Sequence, residues 1–305
     1  VTGALEGFAV IGALIGVGYL LAATRVLDES SQVVLARLVY YVATPALLIE
    51  ILGSTDLATV FGPWFLVAAI GVVAVLLVYV PWARWRGHSG KHVVVGGLAS
   101  SFANSGYLGL PIAAYVAGDV AFALPTIMLQ LMVMTPVAVT LLSMEEGRRA
   151  TPWGFVRAGL SNPVSIAAIL GVALSLAHVD LPRFVDEPIS LLGAMAIPSA
   201  VLAFGVALRF GPRIGHGNRS EVALVTVLKI LWQPLVTYLV ARYGLGLDAY
   251  EVAGVTVMAA LPTAQSVFVY AAQFGRGEVL ARDSVVITTV VSLPVMVLLA
   301  AVLVP

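Results

Sequence analysis

A chain of 305 residues with 60% hydrophobic and only 10% charged side chains cannot clothe a water-soluble surface, which takes about 25% charged residues. A mean hydropathy of +1.03 places it in a bilayer instead. The lack of cysteine excludes disulfides, thiolate metal centres and cysteine nucleophiles, and the net charge of zero specifies no partner.

Apolar stretches of about 20 residues, enough to cross the hydrocarbon layer, recur along the chain. Val1 to Leu27 has no basic leader, so Gly3–Val26 is read as span 1 rather than a cleaved signal. Spans 2 to 5 follow at Gln32–Leu52, Pro63–Ala83, Lys91–Ala117 and Asp119–Ser143. A connecting loop at 144–162 leads to spans 6 to 10 at Pro163–His178, Glu187–Phe210, Ser220–Leu245, Asp248–Gly275 and Ala281–Val304. In span 1, Gly3-x-x-x-Gly7 and Gly12-x-x-x-Gly16 predict close helix packing. Trp64, Trp82 and Trp85 read as interfacial aromatic belts. His88 and His92 have metal-like spacing, but beside arginines in a loop they are read as solvated, with no metal site.

Basic residues fall on one side. The loops after spans 1, 3, 5, 7 and 9 hold Arg25, Arg84, Arg86, Lys91, Arg148, Arg149, Arg157, Arg209, Arg213, Arg219, Arg276 and Arg282. The other side holds Arg183 and Arg242. Twelve against two is a positive-inside signal that puts both termini outside the cytoplasm of a cell-membrane protein. Topology thus explains the basic loops without a nucleic-acid partner.

Two spans are interrupted halfway. Span 4 carries Asn104-Ser105-Gly106-Tyr107-Leu108-Gly109-Leu110-Pro111, and span 9 carries Leu261-Pro262-Thr263-Ala264-Gln265-Ser266. Open backbone in hydrocarbon costs several kcal/mol per unsatisfied group and is tolerated where it lines a cavity. An offset of 158 pairs Pro136 with Pro294 and Asn104 with Pro262. With five spans per half, the second half enters the membrane inverted, as an inverted-repeat transporter does. The expected units are 1–143 and 163–305. Pro111 and Pro262 are expected to start the second half-helices, whose amide-lined, positive N-termini face each other and favour an anion, above all a carboxylate. Asn104, Ser105, Gly106, Thr263, Gln265 and Ser266 supply specific hydrogen bonds. Lys229, about ten residues into span 8, is either an anion partner or coupling group, or else a lysine that snorkels to the cytoplasmic face or caps broken-helix carbonyls. Neither break holds a carboxylate, so proton or sodium coupling stays open, and nothing calls for a cofactor or enzymatic chemistry.

At these residues the chain resembles the auxin efflux carrier family, which includes malate and malonate permeases and plant PIN-type carriers. Asn104, Gly106, Gly109, Leu110 and Pro111 match its N-x-G-x-x-G-L-P element, joined by Leu261-Pro262-Thr263-Ala264-Gln265-Ser266, Pro45 and Pro198. The resemblance implies an all-α fold of ten transmembrane helices in two inverted five-helix repeats, with spans 4 and 9 crossed, as in bile-acid symporters and NhaA-like proteins. It further implies a scaffold of spans 1, 2, 6 and 7, a mobile transport domain of spans 3–5 and 8–10, elevator-like movement and a homodimer. The expected function is secondary transport of a small organic anion. The alternatives are sodium-coupled symport of the bile-acid type and a membrane sensor on the same fold.

Overall fold

The computed structural model describes residues 2–54, 57–144, 151, 153–154, 156–157, 163–179, 181–210 and 218–303. Most of the connecting loop expected at 144–162, with Arg148 and Arg149, lies outside these residues, as does Arg213. In chain order the helices are α1 (Thr2–Ala23), α2 (Glu29–Ser54), α3 (Pro63–Trp85), α4 (Gly90–Ser101), α5 (Ser105–Ala117) and α6 (Val120–Met144). They continue as α7 (Pro163–Ala177), α8 (Arg183–Phe210), α9 (Arg219–Gly244), α10 (Ala249–Ala259), α11 (Gln265–Gln273) and α12 (Glu278–Leu303). Among the described residues, six helices (α2, α3, α6, α8, α9 and α12) are long and apolar enough to cross a membrane. Shorter apolar stretches lie in α1, α5, α7 and α10. Apart from one pair of bridged residues, no strand forms among the described residues.

Local chemistry sets the helix ends. Asp28 Oδ1 accepts from the Ser31 N–H at 2.8 Å while Ser31 Oγ accepts from the Asp28 N–H at 3.2 Å, a reciprocal cap that starts α2. Asp248 and Glu251 do the same at α10. Four prolines leave a common signature inside the helices. The π-turns Val39–Ala43, Ser105–Gly109, Gln130–Met134 and Leu228–Trp232 each end two residues before Pro45, Pro111, Pro136 or Pro234. Proline brings no N–H, and its ring collides with the carbonyl four residues back. A wider preceding turn moves that carbonyl aside while the helix continues.

α1 packs along the second half of α8, and α2 packs against α7 and both halves of α8. The α1–α8 crossing brings backbone against backbone: a methyl on Gly18 would overlap the Leu202 carbonyl, and one on Gly205 the Ile15 carbonyl. Gly12 and Gly16, expected to make the close contact of α1, have nothing within 4 Å of where a Cβ would stand. The approach is made by Gly18, outside that motif, because the neighbouring glycine sits on α8 at that level.

Two apolar cores form, and the broken helices separate them. One gathers Leu108, Ile112 and Val116 of α5 with Val252, Val255 and Met258 of α10. The other gathers Val93, Val95 and Leu98 of α4 with Val267 and Ala271 of α11. Each core therefore takes one half of either interrupted helix, and the breaks lie between the two.

Candidate functional site

The two breaks satisfy each other. α4 ends at Ser101 and α10 at Ala259, and the chain leaves the helix before each successor begins. Ala103 and Thr263 pair there as an antiparallel bridge. The Asn104 N–H donates to the Pro262 carbonyl at 2.8 Å, and the Ala264 N–H to the Phe102 carbonyl at 3.0 Å. Side chains complete the pairing. Thr263 Oγ1 donates to the Ala99 carbonyl at 2.6 Å, and Gln130 Nε2 to the Ala103 carbonyl at 2.8 Å. The Thr263 N–H reaches Thr288 Oγ1 at 3.0 Å, and that hydroxyl donates to the Ser284 carbonyl at 2.6 Å. Lys229 Nζ caps the Ala259 carbonyl and Gln233 Oε1, both at 2.9 Å. Each of these groups left bare in hydrocarbon would cost several kcal/mol, so the crossing is stable because five side chains and two stretches of backbone converge on it.

The bridge sets Ala103 opposite Thr263 and Asn104 opposite Pro262. The second break, residues 260–264, is two residues longer than the first, 102–104. The half-helices also start elsewhere: α5 at Ser105 and α11 at Gln265, not at Pro111 and Pro262. Pro111 lies inside α5 behind its π-turn, and Pro262 stays extended because its carbonyl is paired to Asn104. Lys229 is fully buried rather than snorkelling to the cytoplasmic face, and its ammonium serves as a cap on a broken-helix carbonyl.

The structure then sorts the candidate binding residues by what they have left to give. The Thr263 hydroxyl is spent on Ala99, and Ser105 Oγ leans on the Ala103 carbonyl at 3.4 Å. Asn104 Oδ1 accepts a long 3.4 Å bond from the Tyr107 N–H, which caps α5. Its carboxamide nitrogen, the Gln265 side chain and Ser266 Oγ have no hydrogen-bond partner among the described residues. Nor do the backbone amides of Gly106, Gln265 and Ser266 at the two helix starts. Gly106 is exposed and Gln265 and Ser266 are half-buried, so a solute can reach them. Each half-helix begins two residues beyond the bridge, so both positive ends leave the same crossing point. Tyr40 of α2 lies within electrostatic reach of Tyr107 and Tyr270 on these half-helices.

A separate cavity of about 20 Å³ lies behind the crossing, lined by Ser101, Ala103, Gln130, Gln233, Thr237 and Met258 among others. It has room for about one water, not for an organic anion. Two acids are engaged elsewhere: Glu50 accepts from Ser190 Oγ at 2.9 Å, and Glu251 from Trp64 Nε1 at 3.0 Å. Trp64 also stacks on Phe122 at 4.4 Å, so it joins α3 to α6.

Sequence reasoning missed Gln130 and Thr288, yet a signal was present. Each lies six residues before one of the paired prolines, Pro136 and Pro294, and so falls on the 158 offset. Gln233 and the tyrosines carried no comparable mark.

The profile of the membrane transport protein family matches residues 5–152 and 154–300. The chain belongs to this family, that of the auxin efflux carriers. A Rhizobium meliloti protein named "Putative malonate transporter" is 26% identical over 292 residues, covering 92% of this chain and 89% of that protein. A Methanothermobacter thermautotrophicus protein named "Uncharacterized transporter" is 28% identical over 297 residues, 92% of each. Auxin efflux carrier component 1 of Arabidopsis thaliana is 26% identical over 140 residues, 45% of this chain and 22% of that one. Family membership and the long apolar helices make this a multi-pass membrane transport protein.

Proposed function

We propose that the chain is a secondary transporter of small organic anions, carboxylates above all, which bind at the crossing of the two broken helices. One observation carries the reading. Where the crossing pairs its other backbone groups, the amides of Gly106, Gln265 and Ser266, the carboxamide nitrogen of Asn104 and the Gln265 side chain remain unspent among the described residues. These are donors at two helix N-termini, the arrangement that holds an anion. The name of the Rhizobium relative supports a carboxylate.

In this reading the helices make ten spans in two inverted five-helix repeats. Spans 1, 2, 6 and 7 correspond to α1, α2, α7 and α8, whose mutual packing supports a scaffold. The remaining helices carry the substrate past it, elevator-fashion, in a dimer with both termini outside the cytoplasm. Lys229 is committed to capping the α10 end, at the Ala259 carbonyl and Gln233. Neither break carries a carboxylate to hold a sodium ion, which disfavours the bile-acid type of symport.

Uptake of labelled malonate, malate and indole-acetate into proteoliposomes, with and without a sodium gradient, tests this. Saturable carboxylate flux indifferent to sodium is expected. A hydrogen bond to a charged group contributes about 1.5–3 kcal/mol, so Asn104→Ala and Gln265→Ala should each reduce uptake efficiency by about ten- to hundredfold. Non-saturating ohmic current, or full flux in both variants, would overturn the proposal.

A further inference from the structure

A second cluster, unconnected with the crossing, lies where the α3–α4 loop meets the start of α9. His88 follows α3, His92 lies in the first turn of α4, and Glu221 in the first turn of α9. His92 Nε2 stands 2.8 Å from Glu221 Oε1, and His88 Nε2 3.7 Å from Glu221 Oε2. The two imidazoles stack with ring centroids 4.3 Å apart. One ligand atom from each residue lies within 4.8 Å of the other two. The His88 Nε2 atom is buried and has no hydrogen-bond partner among the described residues.

We propose that His88, His92 and Glu221 form a binding site for a divalent transition metal of the zinc class. Tetrahedral zinc holds imidazole nitrogen at about 2.0–2.1 Å and carboxylate oxygen at about 2.0–2.2 Å, so its ligand-to-ligand edges are about 3.4 Å. One Glu221 oxygen serves as ligand, and one ligand atom from each residue already lies within 4.8 Å of the other two, not far beyond that edge. Closing the cluster on an ion needs only small rotations of two partly exposed imidazoles. Two nitrogens and one oxygen suit zinc, cobalt or nickel, whereas magnesium and calcium take oxygen shells. The fourth position falls to water.

The surroundings fit a ligand set rather than a chance salt bridge. The Tyr79 hydroxyl donates to Glu221 Oε1 at 2.8 Å, the kind of outer contact that orients a metal-binding carboxylate. Gly96 makes that contact possible, because any Cβ there would overlap the Tyr79 hydroxyl. Lys91, between the histidines in sequence, sends its ammonium to the Phe274 carbonyl at 3.3 Å, at the end of α11. A bound metal would clamp the α3–α4 loop to α9 without touching Gly106, Gln265 or Ser266, so it would steady the basic end of these helices independently of the solute.

The full-length protein in detergent, stripped with chelator and equilibrated with zinc, should retain one zinc per chain after desalting, measured by plasma mass spectrometry. Zinc and cobalt should raise its melting temperature and magnesium should not. Bound cobalt should show the visible absorption of a tetrahedral site. His88→Ala and His92→Ala should each weaken zinc binding at least tenfold, while His178→Ala, outside the cluster, leaves it intact. His88→Gln, which keeps side-chain bulk in the loop, guards against misfolding and should lose zinc while eluting as wild type. Sub-stoichiometric zinc, zinc retained by the His88→Ala/His92→Ala double variant, or equal stabilisation by magnesium would overturn the proposal.

Discussion

Thr263→Val tests whether the crossing is held by the bonds assigned to it. Valine matches threonine in shape, so no cavity opens; what disappears is the 2.6 Å donation from Oγ1 to the Ala99 carbonyl. Thr263 and Ala99 are both 0% exposed, so water cannot replace the donor. A buried acceptor stripped of its partner costs about 1–3 kcal/mol. Hydrogen-bond couplings in a membrane-protein interior average about 0.6 kcal/mol, because the unfolded chain in lipid also finds partners. Here the carbonyl lies at a helix end inside a rigid crossing with no alternative donor, so the larger figure applies. About 2 kcal/mol corresponds to about 4–8 °C in melting temperature, on the scale of a large domain. Tryptophan-fluorescence melting in detergent would measure it. Thr263→Ser keeps the hydroxyl and loses one methyl, at about 0.8 kcal/mol, so valine must be the more damaging change. Because the hydroxyl is spent on backbone, the KM of the valine variant for its solute should be unaltered. A valine variant as stable as wild type, or a serine variant less stable than valine, would refute the assignment.

Gln130→Leu removes the 2.8 Å donation to the Ala103 carbonyl and should cost about 1–3 kcal/mol; an unshifted melting curve would count against it. Gly205→Ala should lower the melting temperature although alanine favours a helix by about 1 kcal/mol, because the added methyl overlaps the Ile15 carbonyl and must push α1 from α8. A more stable alanine variant would show that the helices do not approach so closely. Hydrogen bonds from Ser31 and Ser30 lower the Asp28 carboxyl from 3.8 to about 2. A depressed carboxyl stabilises the fold above its unfolded value and loses that stabilisation as pH falls through its folded value. Asp28→Ala should therefore melt below wild type at pH 6, and the gap should close between about pH 4 and pH 2. A gap that persists at pH 2 would contradict the cap.

Much of the fold was legible because hydropathy and chain-breaking are local properties. Asn104-Ser105-Gly106 and Leu261-Pro262 marked the two openings, and the residues between the helices fall at 102–104 and 260–264. Pro111 and Pro262 misled as helix starts because a proline inside a helix can be absorbed by a π-turn upstream, and one in extended chain can be held by its carbonyl. Gly12 and Gly16 misled because a small-residue spacing says nothing about which side a neighbour occupies. His88 and His92 looked solvated because Glu221, 129 residues beyond His92, is absent from their local sequence.

The sequence by itself determined that the chain lives in a bilayer, where its spans open, and that Lys229 needed a partner there, since apolar length, missing amide hydrogens and the cost of a bare charge are written residue by residue. Only the tertiary structure decided which polar groups at the openings are consumed and which stay free. Thr263 and Lys229 are spent on carbonyls of other segments, while the Asn104 carboxamide nitrogen, the Gln265 side chain and the amide of Gly106 are not. The reason is physical: a hydrogen bond belongs to two groups at once, and which partner stands opposite is settled only when distant segments pack together.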